Sequence, residues 1–343
     1  MPNAYTFSRI RRIVRRFGLH PLSAKSVASF YRKNAVVRIR TESGTYAMKP
    51  FIRSNLLRSS TVDQMKSIAY NIQFLTNNGF AAIPKWLQSS SGKLWTLDQG
   101  RPFYVTEWIS GKSMENPEDF EKLGRALASL HAISSRSVPA NGAFYDLIGF
   151  WKGLDRLFRR RMAETSRTNR THRRWYRKFG ESCNGLSDRS WTELSNPEIA
   201  ELLERERASP ALIHSDITSQ NVLIADNGQL FLIDWDRLKP GFSYADVATA
   251  LMNTTRFRPE FIQSLLDGYE EVRPLTRAER LVIASLYRLP REAWLAVRYS
   301  HRPRSGSLLK TVEQTWPHRA KAMAFLEEWA NRQEDTPAIE LQP

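Results

Sequence analysis

Asp216, Asn221 and Asp234 bring two carboxylates and an amide oxygen into one short stretch, residues 211–236, which reads ALIHSDITSQNVLIADNGQLFLIDWD. Oxygen donors of this kind suit one hard cation. Magnesium keeps several waters and is usually held by one or two protein groups together with a substrate phosphate. Asp216 stands five positions before Asn221, where its carboxylate would project beside such an ion and take or orient the proton of a hydroxyl. His214 opens the same segment and reads as a hydrogen-bonded support rather than a proton carrier. Each residue alone has a plain structural reading, since an aspartate before a strand is ordinarily a turn residue or a cap. Their combination argues for chemistry.

Val222 to Ala225 and Leu230 to Trp235 are short runs rich in β-branched and aromatic residues, and Asp226-Asn227-Gly228 between them signals a tight hairpin. A loop of the two residues Asn227-Gly228, or a four-residue loop in the same register, places Asn221 directly opposite Asp234. Opposed side chains share a face with Cβ atoms about 4.5–5.5 Å apart, so both oxygens converge at the mouth of the ribbon.

His214-x-Asp216-x4-Asn221, with a later aspartate in an apolar strand, is an arrangement for phosphoryl transfer: a base for the hydroxyl and two groups for metal. The segment resembles the catalytic core of the aminoglycoside-phosphotransferase and choline-kinase branch of the protein-kinase-like fold. The usual wording there is H-G-D-x4-N followed by I-D-x-D, and this chain has His214-Ser215-Asp216 and Ile233-Asp234-Trp235-Asp236. Within that branch, Trp108-Ile109-Ser110-Gly111, the stretches Gly268-Tyr269-Glu270 and Pro274-Leu275-Thr276, and Arg298-Tyr299 look most similar to the CotS family of spore-coat proteins.

The resemblance implies an α+β, two-lobed protein-kinase-like fold. Its N-lobe, residues 1–108, would be a five-stranded antiparallel sheet plus a helix, and its mainly helical C-lobe would span 109–334, before a loose tail at 335–343. It implies ATP and Mg2+ in the cleft and transfer of the γ-phosphoryl group to a hydroxyl of a small molecule or sugar. Asp216 would be the base, Asn221 and Asp234 the metal ligands, and Lys49 the phosphate-binding lysine. His214 and Asp236 would support them, Asp236 also as a second metal group. Backbone groups of the hinge at Glu107 and Ile109 would read the adenine edge. A CotS-like protein would act in the mother-cell cytoplasm, on the forming spore coat, as an enzyme or as a coat scaffold with little turnover.

Composition agrees with a globular protein and excludes little else. A chain of 343 residues that is 41% hydrophobic can build two lobes. The single cysteine, Cys183, excludes an internal disulfide framework and a thiolate metal cluster, which fits a reducing compartment. The arginines among the first residues lack the uninterrupted apolar core of a secretory signal, and no run approaches the roughly 20 apolar residues of a membrane span. The net charge of +16 attracts anions of every kind without choosing between them.

Along the chain, Phe7 to Phe17 has the spacing of a basic amphipathic helix, read as packed on the first lobe rather than on a membrane. Val27 to Tyr31, Ala35 to Thr41 and Thr45 to Phe51 read as strands. The last two are joined through Glu42-Ser43-Gly44, and matching apolar faces predicts a three-residue loop. Lys49 ends the third. Arg32-Lys33-Asn34 marks the nucleotide-covering loop, which lacks glycine, so basic side chains and backbone N–H groups would contact phosphates there. Val62 to Thr76 reads as a helix. It offers no glutamate to orient Lys49, and Asp63 is the nearest acid. Ile83 to Leu87, Leu94 to Asp98 and Phe103 to Trp108 complete the sheet, and Pro117 to Ser134 opens the C-lobe as a buried helix.

A basic helical insertion spans about 151–209. Between Arg159 and Lys178 it carries nine basic residues against Glu164, with Trp175 and Tyr176 interleaved. The spacing permits a solvated face or a site for an acidic coat protein or another polyanion. Insertions at this point of the family build the acceptor pocket, and no recognised nucleic-acid module accompanies the charge. Asp246 before a helical run reads as structural, and helices are expected at 260–269, 277–287, 291–299 and 315–331.

Overall fold

Alternation of apolar residues along β2 and β3 decides which face of the first sheet meets which partner. The computed structural model describes residues 5–27, 36–51, 60–135, 144–168, 170–299 and 304–332. The chain enters through α1 (Phe7–Arg15), then β1 (Ser23–Val27), β2 (Val36–Thr41), β3 (Gly44–Pro50), α2 (Thr61–Asn77), β4 (Thr96–Asp98) and β5 (Arg101–Glu107). The strands form one antiparallel sheet of order β1-β2-β3-β5-β4, the five-stranded sheet with a helix that the sequence implies. Val37, Ile39, Met48, Phe103 and Val105 face α1 and bury against its Ile10, Ile13 and Val14. The basic helix is thus packed on the sheet, and Arg9 and Arg12 reach Asp98 at 2.8 and 2.9 Å.

Three details depart from the sequence reading. Thr41 pairs with Gly44, so the β2–β3 loop has two residues rather than three. Met48 and Tyr46, not Ala47, lie across from Val37 and Ile39, which turns Ala47 and Lys49 to the opposite face; Gly44, at φ +142, takes the strained position. The first strand begins earlier, at Ser23, while residues 28–35, with the Arg32-Lys33-Asn34 loop, lie outside the described residues. Ile83 to Leu87 forms no strand. It touches the sheet at one bridge, Trp86 to Thr106, and the ladder stops there because Lys85 N–H donates to the Glu107 side chain at 2.9 Å rather than to its backbone carbonyl.

Beyond β6 (Gly111–Lys112) the chain is mostly helical: α3 (Pro117–Ser135), α4 (Leu147–Thr168), α5 (Arg170–Leu194) and α6 (Pro197–Ala208). Four strands then interrupt: β7 (Ala211–Ile213), β8 (Val222–Ala225), β9 (Leu230–Leu232) and β10 (Lys239–Gly241). Helices α7 (Ser243–Thr254), α8 (Pro259–Val272), α9 (Arg277–Arg288), α10 (Arg291–Arg298) and α11 (Arg304–Ala330) follow. The last starts earlier than expected and runs through Pro317. Helices α3 and α8 approach so closely that a Cβ at Gly268 would lie 2.2 Å from the Glu121 carbonyl oxygen. The basic insertion at about 151–209 takes in most of α4 together with α5 and α6, and its arginine-rich part falls on α4 and α5. Its Trp175 is buried and packs on Phe179, which meets Trp316 of α11, so that aromatic belongs to the core. Arg159 pairs with Asp155 and Asp188, and Lys178 with Glu313. Residues 335–343 lie outside the described residues.

Candidate active site

Strand β3 delivers Lys49 to the cleft face of the sheet, where it is 7% exposed. Its ammonium meets Asp234 Oδ1 and stands 3.0 Å from Asp236 Oδ2. The Tyr104 hydroxyl, from the neighbouring β5, donates to the other Asp236 oxygen at 2.6 Å, and its ring stacks on Trp86 at 4.2 Å. Burial by itself would lower the lysine pKa, but the two carboxylates outweigh it and hold the ammonium above its usual range. Burial lifts Asp236 above the ordinary carboxylate value, Lys49 opposing, and lifts the Tyr104 phenol well above its own, with Asp236 adding to it. Asp63 takes no part. It accepts from Ser60 at the start of α2 and pairs with Lys66 at 3.5 Å, so the proposed pairing with Lys49 is replaced by Asp234 and Asp236.

The ribbon is real, in a different register. Val222 pairs with Leu232 and Ile224 with Leu230, which leaves Asp226-Asn227-Gly228 as a three-residue loop with Gly228 at φ +80. Asn221 therefore lies opposite Ile233, whose N–H donates to its carbonyl at 2.9 Å, and not opposite Asp234. Asp234 regains the cleft by a left-handed turn, φ 67 and ψ 54, into the short 3-10 helix Trp235–Arg237. Such a backbone is uncommon for a residue other than glycine.

Asp246, at the start of α7, organises the loop between the two strand pairs. Its carboxylate accepts from the backbone N–H groups of His214 at 2.9 Å and Ser215 at 2.8 Å. Burial opposes its charge, yet these donors and His131 keep it below the usual carboxylate range. His214 is fully buried, and its Nε2–H donates to the Ile233 carbonyl at 3.1 Å. Burial lowers its pKa, so it is a neutral brace. Ser215, at φ +64, occupies a backbone conformation that favours glycine.

Asp216 then projects from this loop with 28% of its side chain exposed. Asn221 Nδ2 donates to its carbonyl at 2.8 Å, and Arg237 donates to its Oδ1 at 3.3 Å. Burial, with Asp234 adding, raises its pKa above the usual aspartate value, while Arg237 opposes.

Above these groups opens a cleft of about 590 Å³, within the range of small-molecule sites. Ala47 on one side and Leu223 and Ile233 on the other line an apolar slot. Glu107, Trp108 and Ile109 close its edge. The Glu107 and Trp108 N–H groups are committed to the carbonyls of Lys85 and Thr45, whereas Ile109 N–H makes no hydrogen bond among the described residues. The donor set also fits a hard cation. Asn221 spends its amide nitrogen on Asp216, which leaves Oδ1 for the cleft, and Asp234 is 37% exposed. No group of three or more His, Cys, Asp or Glu suited to a metal exists among the described residues; Asn221 and Asp234 would be the protein groups that hold an ion there, as is usual for magnesium held with a substrate phosphate.

The family model of the phosphotransferase enzyme family (APH) matches residues 31–281, and the chain belongs to that family. A homoserine kinase of Xanthobacter autotrophicus is 28% identical over 225 residues, 62% of this chain and 61% of its own length. In fold, the chain is similar to an aminoglycoside phosphotransferase from Alicyclobacillus acidocaldarius, with a TM-score of 0.81 at 17% identity over 96% of this chain and 98% of that one. It is also similar to a spectinomycin phosphotransferase crystallised with ADP and spectinomycin, with a TM-score of 0.66 at 17% identity over 95% and 99%. The two-lobed kinase-like fold is thereby shown. No described helix is long and apolar enough to cross a membrane.

Sequence reasoning passed over Tyr104 and Arg237. Tyr104 carries no local signal, being one aromatic in an apolar strand. Arg237 does follow the Ile-Asp-x-Asp motif directly, and that adjacency was available.

Proposed function

We propose that the protein is an ATP- and Mg2+-dependent phosphotransferase that transfers the γ-phosphoryl group to a hydroxyl of a small molecule or sugar. The reading rests on one observation above all: Lys49 of β3 lines the same cleft as Asn221 and Asp234 of the ribbon, and the Asn221 amide holds the backbone of Asp216 next to it. The apolar slot suits a flat base, with Ile109 N–H and the backbone carbonyl of Glu107 at its edge. Lys49 would hold phosphate oxygens, and Asn221 Oδ1 with Asp234 would hold Mg2+, which when bound neutralises charge developing on the phosphoryl group. Asp236 anchors Lys49 from beneath. Asp216 orients the acceptor hydroxyl and takes its proton. The lobes we assign, 1–108 and 109–334, meet beside Trp108 and Ile109. Homoserine kinase in sequence, and aminopropanol kinase and choline kinase in fold, support a small hydroxyl acceptor. The wording of residues 108–111 and 268–276 supports a CotS-like role in spore-coat formation.

A weakly catalytic coat component is the second reading, favoured by the absence of any α2 acid on Lys49 among the described residues. Nucleotide titration with and without Mg2+, followed by ATP hydrolysis, separates the two. Metal-dependent ATP binding with slow hydrolysis that Asp216→Asn lowers by about 10²- to 10⁴-fold supports the enzyme. Tight Mg-ATP binding without hydrolysis by either protein supports the scaffold.

A further inference from the structure

Strand β10 brings a second basic side chain to the catalytic loop. Lys239 pairs across from Ile213, the last residue of β7, three positions before Asp216. It is 6% exposed, and its ammonium makes no ion pair with any described carboxylate. An ammonium buried without an anion is costly. The ring of Tyr145 offsets part of that cost, with its centroid 3.7 Å from Lys239 Nζ. Burial still pulls Lys239 down to about 8, Arg237 adding and Asp246 opposing.

Tyr145 is held beside β10 by its N–H, which donates to the Pro240 carbonyl at 3.1 Å, and by a bridge to Gly241. Its ring lies 6.4 Å from that of Phe150, over which the Arg298 guanidinium stands at 5.3 Å. Arg298 is half-buried and also makes no ion pair with a described carboxylate. Arg237 is the third cation, on Asp216. The adjacent acid Asp146 is engaged elsewhere, by Arg207 at 3.5 Å and by Gly149 N–H at 2.8 Å. Of the two carboxylates that act on Lys239, Asp246 is taken up by the His214 and Ser215 N–H groups, and the chemistry reserves Asp216 for a hydroxyl.

We propose that the acceptor carries an anionic group, a carboxylate or a phosphate, which Lys239 and Arg298 hold beside the rings of Tyr145 and Phe150 while its hydroxyl faces Asp216. The inference rests on the phosphotransferase reading and narrows its substrate class. A cationic amino sugar would meet like charge here.

Thermal denaturation of the protein saturated with Mg-ADP tests it, with gluconate, glucose 6-phosphate, glucose and glucosamine as probes. Gluconate or glucose 6-phosphate should raise Tm, the pair telling carboxylate from phosphate, and glucose and glucosamine should not. Lys239→Met and Arg298→Gln should each weaken that binding roughly 10- to 100-fold, the loss of one charged hydrogen bond, with the shift produced by Mg-ADP unchanged. Arg298→Gln, at a half-buried position, keeps the test valid if Lys239→Met does not fold. Binding of glucosamine or glucose as strong as that of the anions, no binding of either anion, or folded variants that bind like wild type would overturn the inference. Absence of the Mg-ADP shift removes the phosphotransferase reading, and this inference with it.

Discussion

The side-chain amide of Asn221 donates to the backbone carbonyl of Asp216 at 2.8 Å. One contact thus fixes the position of the carboxylate residue and leaves the amide oxygen of Asn221 for a cation. Asn221→Ala removes both effects. Turnover should fall by about 10²-fold or more, and the Mg2+ concentration needed for half-maximal rate should rise. A fall in rate with an unchanged Mg2+ requirement would take Asn221 out of the metal site.

Lys49 is caught between two carboxylates, so its loss acts on stability apart from any proposed role at the phosphates. Lys49→Met leaves Asp236 buried without its cation, a change that typically costs about 3–5 kcal/mol. Tyr104→Phe removes only the hydroxyl donated to Asp236 and should cost about 1–3 kcal/mol. Urea denaturation in the absence of nucleotide measures both, and equal losses would show that Asp236 depends on neither partner in particular.

In the proposed mechanism Asp216 is a base only when ionised, and its pKa lies above the ordinary aspartate value of 3.8. The acid limb of the pH–rate profile should therefore lie above that value. Arg237 favours the charged form, so Arg237→Gln should move the limb to higher pH, by a modest amount because Arg237 is 57% exposed. A shift to lower pH would contradict the assignment of the base.

Glu206 accepts from Ser243 N–H at 2.7 Å at the start of α7, with its second oxygen enclosed and unpartnered. Burial pushes its pKa up to about 7 from 4.5. A carboxyl raised on folding contributes stability below its unfolded value and loses it as pH rises through the folded one. Stability should thus decline between about pH 4.5 and 7 by roughly 1–3 kcal/mol from this group. Glu206→Gln should flatten that decline, as read from unfolding midpoints across the range.

Ser215 holds φ +64 where the branch it resembles has glycine. Ser215→Gly relieves a left-handed backbone but gives the unfolded chain more freedom. The net effect should be a gain of no more than about 1 kcal/mol, with turnover kept. A clear loss of stability would mean that the serine side chain holds the loop.

Spacing along the chain determined what local geometry can determine. The five-residue interval from Asp216 to Asn221, the Ile233-Asp234-Trp235-Asp236 run and the Asp226-Asn227-Gly228 turn are contacts between near neighbours, and side-chain types within a few residues constrain them. The register was less accessible. Two- and three-residue loops use the same turn residues, and only the packing of Val222, Ile224, Leu230 and Leu232 into the core selects between them. The same limit misplaced the β2–β3 loop, where α1 had to be in position before Met48 rather than Ala47 could be seen to fill the face. The partners of Lys49 lay furthest from reach. Asp234 is 185 positions away, and helix α2, which carries the nearest acid in sequence, turns Asp63 to its own N-terminus instead. The association of Tyr145 with Lys239 likewise exists only because β10 lies against β7 and residue 145 bridges to its end. Chain closure over such distances is paid by the burial of whole surfaces, so no local pattern records it.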